Sequence, residues 1–528
     1  MIKLGPIYEK WNNFSSSKKI FIFLSLFVIF FLPYLSFDYG IWWDEWINTH
    51  YAELILKYYL SYGKDTSAAT YDWDIHYYGG LFDTWTVGFY HTFKNWGLYE
   101  TRHFFNALSG SLMIIFTGLI AKEIGNWKTG IIALLFLLFC PHIFGNLMNN
   151  PRDIPFASGY IISIYFLIRL LIDFPNPKWK NAFFLSVGVS ITTGVRAGGL
   201  IFIPYLFLFS AFYLFYVKRI YDKRIVKIFL MIVIISILAY FGSMVAWPLA
   251  QLKPFTVPYS ALQRFSNYPN LVYVLFEGLY LEGHNLPWYY LPKLIFFTNP
   301  VHIFLGLFLF LTLGLAGRIR MYNFNFLIII IFCCFFPYLY ALYKNSLLYD
   351  GWRHFYFIFP LLVILSAIGI QNILRIIVNK IFKVVAIIIL IILVSEPVLW
   401  SFKNHPHEGV YFSPLVGGIN KTYTDYQTDC LGNSMRYGAE WLGKYFNANN
   451  IDSCSIYTNA NIVSSEYYLE KYGKFRLTRE LSDEHDYQLL LTRWHTKEQL
   501  TTNWPPKGTI YKVMADSVTL CAVVKVKN

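Results

Sequence analysis

The sequence predicts a mainly α fold: a polytopic transmembrane helical bundle of about eleven spans with a small extramembrane α/β domain at its C-terminus. Three observations predict it. Hydrophobic residues make up 56% of the 528 positions and charged ones 14%, against roughly a quarter charged in soluble domains. Apolar runs of about 20 residues, the length that crosses a bilayer, recur up to residue 401. Basic residues gather in short loops at every second turn of the chain, the positive-inside pattern.

The first run, "KKIFIFLSLFVIFFLPYLSF", is long enough to span and has no small-residue cleavage site after it, so it reads as a retained helix at about 18–37 with the N-terminus cytoplasmic. A long external loop, 38–101, follows. Spans are expected at about 102–121, 129–147 and 155–173, then a hairpin of two helices around "GVRAGG" (194–199), and a span at about 228–247. A second external loop covers 248–290. Four more spans follow at about 293–315, 325–343, 354–374 and 383–401. "EWINTHYAELILKYYLSYG" carries apolar residues at helical spacing and is expected to lie along the interface.

Residues 402–528 change character. "SMRYGAEWLGKYF" and "SSEYYLEKYG" read as helices, "CSIYT", "YQLLLTRW" and "TLCAVVKVK" as strands. This part holds 14 Lys and Arg against 13 Asp and Glu, so residues 1–401 carry +12 of the net +13. The excess sits in loops such as "VKRIYDKRIVK" (217–227), which marks topology rather than a nucleic-acid surface. Cys430, Cys454 and Cys521 could form one disulfide whose pairing the sequence does not fix.

With this topology Asp44, Glu45, Arg102, Arg152, Asp153, Arg196, Arg353 and His354 all fall at the external face. "GIWWDEW" sets two acids among three tryptophans. A dry aromatic setting raises a carboxylate's basicity, which suits a general base for a hydroxyl; the bland alternative is an interfacial anchor. Asp153 opens a helix in "NNPRDIPFA", where an acid is favourable anyway, and Arg152 could simply pair with it. Arg102, Arg196, and Arg353 with His354, at three helix ends, suggest a phosphate-binding ring, since arginine stays charged and forks onto phosphate oxygens. "NHPHEG" (404–409) could imitate a metal site, but a solvated turn is the simpler reading. His50, His76 and His103 have no ligand spacing. No P-loop, GxGxxG, GxSxG or HExxH occurs, which argues against a cytosolic nucleotide donor.

The acid pair after the first span resembles the integral-membrane glycosyltransferases of the GT-C class, nearest to glycosyltransferase family 39, the protein O-mannosyltransferase-like enzymes, in their bacterial branch. "YETRHFFNALSGSL", "NPRDIPFA", "TTGVRAGGLIFIP", "LPWYYLPKLIFFTNP", "GWRHFYFIFP" and "HPHEGVYFSPLVGG" with "DCLGNSMRYGAEWL" are similar to that family's motifs in order. The branch usually has an aromatic pair where this chain has Cys430–Leu431. The resemblance implies a sugar donor on a polyprenyl phosphate and inversion at the anomeric carbon, with an acceptor on a protein or glycolipid. It casts Asp44 as base with Glu45 beside it, Asp153 as second acid, and Arg102, Arg196 and Arg353, with His354, as donor-phosphate ligands. Arg152, Tyr290, Lys293 and Trp43 are expected to line the vestibule. No cofactor is assigned; some relatives use a divalent cation, which Asp44 and Asp153 could share, though no histidine or third acid completes the set. Eukaryotic members carry a large sugar-binding-like insertion where this chain has a loop of about 40 residues, a departure that bears on how a protein acceptor would be recognised. The Lys-, Asn-, Ile- and Phe-rich composition suggests an AT-rich genome and a bacterial inner membrane, with the C-terminal domain periplasmic. The main rival function is a transporter or lipid-linked-sugar flippase, which would be expected to show repeat symmetry and midplane polar sites instead.

Overall fold

The computed structural model describes residues 14–71, 74–94, 96–321 and 323–526. Among them, eight helices are long and apolar enough to cross a membrane, or ten if two bent pairs each count as one span. The chain is an integral membrane protein. The eight are Ser16–Asp38, Leu98–Ile124, Asp153–Ile172, Ala197–Val217, Arg224–Gly242, Asn325–Tyr343, Arg353–Ile376 and Lys380–Asn404. Eleven spans were expected, and the difference has a simple cause. Each bent pair stands where one span was expected, and the helix expected after Lys178 forms as Trp179–Val195, whose 17 residues put it at the lower limit for a crossing.

The two bends have sequence causes. Trp127–Leu138 starts on a capping box, in which Asn126 Oδ1 accepts the Lys128 and Thr129 N–H groups. It stops before Pro141, and Pro141–Asn149 leaves at 73°. Tyr290–Phe297 gives way at Asn299–Pro300 to Val301–Leu315 at 119°. In each case proline removes a helix N–H and disfavours helical geometry just before it. Lys380–Asn404 has 6% of its most apolar window buried, so almost all of its apolar surface faces outward to lipid.

The helix Glu45–Leu60 forms where an interfacial helix was expected, with Ile47, Tyr51, Leu54 and Ile55 buried. The loop at 248–290 contains a hairpin the sequence reading missed. Strands β1 (Tyr273–Phe276) and β2 (Leu279–Glu282) pair antiparallel through Glu277–Gly278, both at positive φ. This two-residue turn matches the strand twist.

The C-terminal region is a small mixed sheet with helices on it. Strands β3 (Ser455–Thr458), β4 (Arg476–Thr478), β5 (Tyr487–Leu491), β6 (Thr509–Ala515) and β7 (Val518–Lys525) lie in the order β4-β3-β5-β7-β6. β3 is parallel to β4 and β5, and the other pairings are antiparallel. The helix Met435–Ala448 buries Met435, Ala439, Leu442 and Phe446 in a core shared with Leu489, Leu491 and Val523. β4 and β6 were not legible: three residues are too few for a pattern, and β6 alternates only in part. All six cysteines are free.

"NHPHEG" is neither a solvated turn nor a metal site. Glu408 is 1% exposed and His407 6%. His405 donates from Nδ1 to Glu408 Oε1 at 2.7 Å and from Nε2 to Asp38 Oδ2 at 3.1 Å, and Tyr39 donates to Glu408 Oε2 at 2.5 Å. This latch ties the end of the last span to the exit of the first. Burial alone would lower the His405 pKa, but the two carboxylates outweigh it and raise it to about 9. The latch's contribution is therefore complete below the ordinary histidine pKa of about 6.5 and is lost as pH rises through about 9. The melting temperature of the solubilised protein should fall between those values, and the His405→Asn variant should lose that slope.

Candidate active site

The site begins with the chain leaving the first span. Gly40 donates its N–H to Asn433 Oδ1 at 2.9 Å, and its carbonyl accepts from Asn149 Nδ2 at 2.8 Å. A Cβ at Gly40 would lie 2.5 Å from the Asn433 carbonyl, so glycine lets the C-terminal region approach this closely. Trp42, Trp43, Asp44 and Glu45 follow in a fixed turn.

The two adjacent acids have different surroundings. Glu45 is fully buried: Arg102 Nε donates to Oε1 at 3.0 Å, and Oε2 meets His103 Nε2 at 3.0 Å and the Trp42 N–H at 3.2 Å. Burial pushes its carboxyl up, but His103, Arg102 and the Trp42 N–H outweigh that and hold it below its ordinary value. Asp44 is half-buried, and its carboxylate has no hydrogen bond or ion pair among the described residues. Burial raises its pKa, opposed by Arg353, Arg493 and Arg152 and reinforced by Asp350. A carboxylate kept basic, reachable and uncommitted can take a proton.

Arg102, expected to hold phosphate, is committed instead. All three guanidinium nitrogens are engaged: Nε with Glu45, Nη1 with Thr86 Oγ1 at 3.2 Å, Nη2 with Asp83 Oδ1 at 2.7 Å. Arg152 does not pair with Asp153. Its Nε and Nη2 donate to Asn48 Oδ1 at 2.9 and 2.7 Å, and Nη2 lies 3.7 Å from Asp83 Oδ2.

Asp153 is held at its helix start by Asn150, whose Oδ1 accepts the Asp153 N–H and whose Nδ2 donates to Oδ2, each at 3.0 Å. Its carboxylate faces Arg196 Nη2 at 2.5 Å and Arg353 Nη1 at 3.5 Å. Arg353 also lies 3.3 Å from Asp350 Oδ2, and Asp350 Oδ1 accepts from Arg493 Nη2 at 2.9 Å. Asp350 and Gly351 both have positive φ, at 54° and 72°. The strained turn that glycine at 351 permits turns the Asp350 carboxylate between the two arginines. His354 stacks edge-on against Tyr349 at 4.8 Å. Arg353 lies over Trp42 at 4.9 Å and Arg493 over Trp43 at 4.5 Å.

This network leaves guanidinium N–H groups over. Arg152 Nη1, Arg196 Nε, Arg353 Nε and Arg493 Nε are buried without a hydrogen-bond partner. Buried donors are normally satisfied, so these arginine N–H groups are available to an acceptor such as a water or an anion.

Of the expected vestibule residues, Tyr290 donates to the Gly351 carbonyl at 3.0 Å and so supports the Asp350 turn. Lys293 is turned away: it contacts Glu277 and lies 5.3 Å from the Phe297 ring. A cavity of about 70 Å³ opens beside Asp350; most of its wall is apolar, with Asn146, Asn149, Asp429 and Asn433 among the polar groups that line it.

The donor set does not fit a divalent cation. Asp153's two oxygens already meet two arginines and Asn150, Asp44 faces three arginines, and no group of three or more His, Cys, Asp or Glu could hold a metal among the described residues. Sequence reasoning missed Asp83, Asp350 and Arg493. Asp350 stood one residue outside a noted motif, and Arg493 lies about 140 positions from its partner, so no local signal could join them.

No protein-family model matches the chain, and no curated protein matches it. Among solved structures, it is similar to ArnT from Cupriavidus metallidurans bound to undecaprenyl phosphate, at 12% identity and a TM-score of 0.47. The apo state of the same protein gives 12% and 0.44. Each comparison covers 96% of this chain and 98% of the other.

Proposed function

We propose that the protein is an inverting glycosyltransferase that moves a sugar from a polyprenyl-phosphate donor to a hydroxyl or amine of a protein or glycolipid acceptor at the external membrane face. One observation carries the reading: a free, half-buried carboxylate, Asp44, faces arginines whose buried N–H groups lack partners. Transfer needs both halves at once. Asp44 takes the proton of the acceptor O–H as its oxygen attacks C1 of the sugar. The C1–O bond to phosphate breaks on the opposite side, and its electron pair leaves with the lipid phosphate. Arg196, Arg353, Arg493 and Arg152 then neutralise charge that grows in the transition state. Asp153 and Asp350 hold the guanidinium forks apart and oriented, so little reorganisation accompanies the reaction. The cavity beside Asp350, mainly apolar with Asn146, Asn149, Asp429 and Asn433 in its wall, is the candidate place for the sugar.

Release of polyprenyl phosphate from a short-chain polyprenyl-phosphate sugar by purified protein tests this reading. A transporter would release none. Arg493→Ala should raise the donor KM about 10- to 100-fold, the loss of one charge-assisted hydrogen bond to phosphate, with a smaller change in affinity for acceptor. An unchanged donor KM would remove Arg493 from the phosphate site.

A further inference from the structure

At the end of the bundle remote from Asp44 lies a second cavity, of about 470 Å³, between the turn at 125–129, residues 319–321 with Phe324, and the last two turns of the helix Phe359–Ile376. The helix Leu98–Ile124 carries Arg102 near one end and reaches this cavity at the other. A helix of that length separates the two by roughly 35 Å.

The loop's backbone is pinned while its charged side chain is left over. Asn323 donates its N–H to the Ile124 carbonyl and its Nδ2 to the Glu123 carbonyl at 2.9 Å; the Arg320 N–H donates to Asn372 Oδ1 at 2.9 Å. Arg320 and Arg375 line the cavity and are exposed, and neither guanidinium has a hydrogen bond or ion pair among the described residues. Glu123, the acid at this end of its helix, is taken by Lys122 at 3.1 Å and Arg169 at 2.9 Å. The negative ends of two helix dipoles account for a basic residue in a last turn, Arg375. The positive-inside bias accounts for an arginine on the loop of Arg320, but not for its place in the wall of a cavity together with Arg375. Phe324 in the lining is 62% exposed, and Leu315, which ends the helix Val301–Leu315, and Val378, just after the helix Phe359–Ile376, are each 91% exposed. Unpaired arginine forks over a cavity, flanked by bare apolar side chains at the end of membrane spans, match one ligand: a phosphate attached to acyl chains.

We propose that this cavity binds the headgroup of an anionic phospholipid, with Arg320 and Arg375 on the phosphate and the chains running past Leu315, Phe324 and Val378. The full-length protein would be taken from vesicles of equal phosphatidylglycerol and phosphatidylcholine, and retained lipid measured by native mass spectrometry. Phosphatidylglycerol should be retained preferentially, and the double variant Arg320→Gln/Arg375→Gln should lose that preference about tenfold. The double variant Arg320→Lys/Arg375→Lys should keep much of it, and Arg318→Gln, outside the cavity, all of it. Equal retention of both lipids by the unaltered protein, or full preference in the glutamine variant, would overturn the assignment. So would displacement of the lipid by millimolar inorganic phosphate, which would give the cavity to a soluble anion.

Discussion

Replacing Asp44 by asparagine should reduce transfer about 10²- to 10⁴-fold and leave the melting temperature unchanged or higher. The two halves of the result come from one arrangement. The carboxylate is desolvated and has no direct partner, so its negative charge costs stability that an isosteric amide does not. The same desolvation raises its proton affinity above that of an ordinary aspartate and makes it a competent base. Activity should fall as pH drops through this raised pKa, because the folded protein then protonates Asp44, and the acid limb should lie above the ordinary aspartate value of about 4. Residual activity should come from the arginines, which still draw out the leaving phosphate. The measurement is polyprenyl-phosphate release against pH, with a thermal melt of the same preparations. A variant with full activity would remove Asp44 from the chemistry; one that failed to fold would make it structural.

The fold was legible to the extent that a bilayer imposes it. Length and hydropathy locate a span without reference to its neighbours, and the segments expected as spans are helical, two of them as bent pairs, while "SSEYYLEKYG" is helical only to Leu469. The number of crossings was less legible, because Trp179–Val195, at 17 residues, sits at the lower limit of length and two expected spans are bent pairs. Asp44, Asp153, Arg196 and Arg353 do come together, and their common face could be read from topology alone. What could not be read was which arginine is committed. "ETRHF" and "GVRAG" look alike as basic residues at helix ends. Only the folded chain sets Asp83 and Glu45 against Arg102 and leaves Arg196 with an open Nε. The contribution of the C-terminal region was hidden for the same reason. Arg493 follows a strand in an ordinary small sheet, and its meaning depends on Asp350.

The difference between the neighbouring acids gives the other large expected effect. Arg102→Leu should destabilise the protein by about 3–5 kcal/mol, because it leaves Glu45 and Asp83 facing each other's surroundings without their shared cation. Both are almost wholly buried, so water cannot replace it. Arg102→Lys should be intermediate: the charge returns, but one ammonium cannot reach Glu45, Thr86 and Asp83 in the planar arrangement that a guanidinium makes. Glu45→Gln should also destabilise, since His103 and Arg102 lose the charge that balances them. These losses should appear as lower melting temperatures and lower yield of monodisperse protein, with donor KM nearly unchanged in whatever folds. The opposite pattern, a normal melt with a raised donor KM in Arg102→Leu, would mean that the buried network opens when donor binds and that Arg102 reaches the phosphate. The melt and the donor KM of one variant therefore decide whether Arg102 is scaffold or ligand. With Asp44→Asn beside it, they test whether two consecutive acids divide the work, Asp44 taking the proton while Glu45 fixes the turn that presents it.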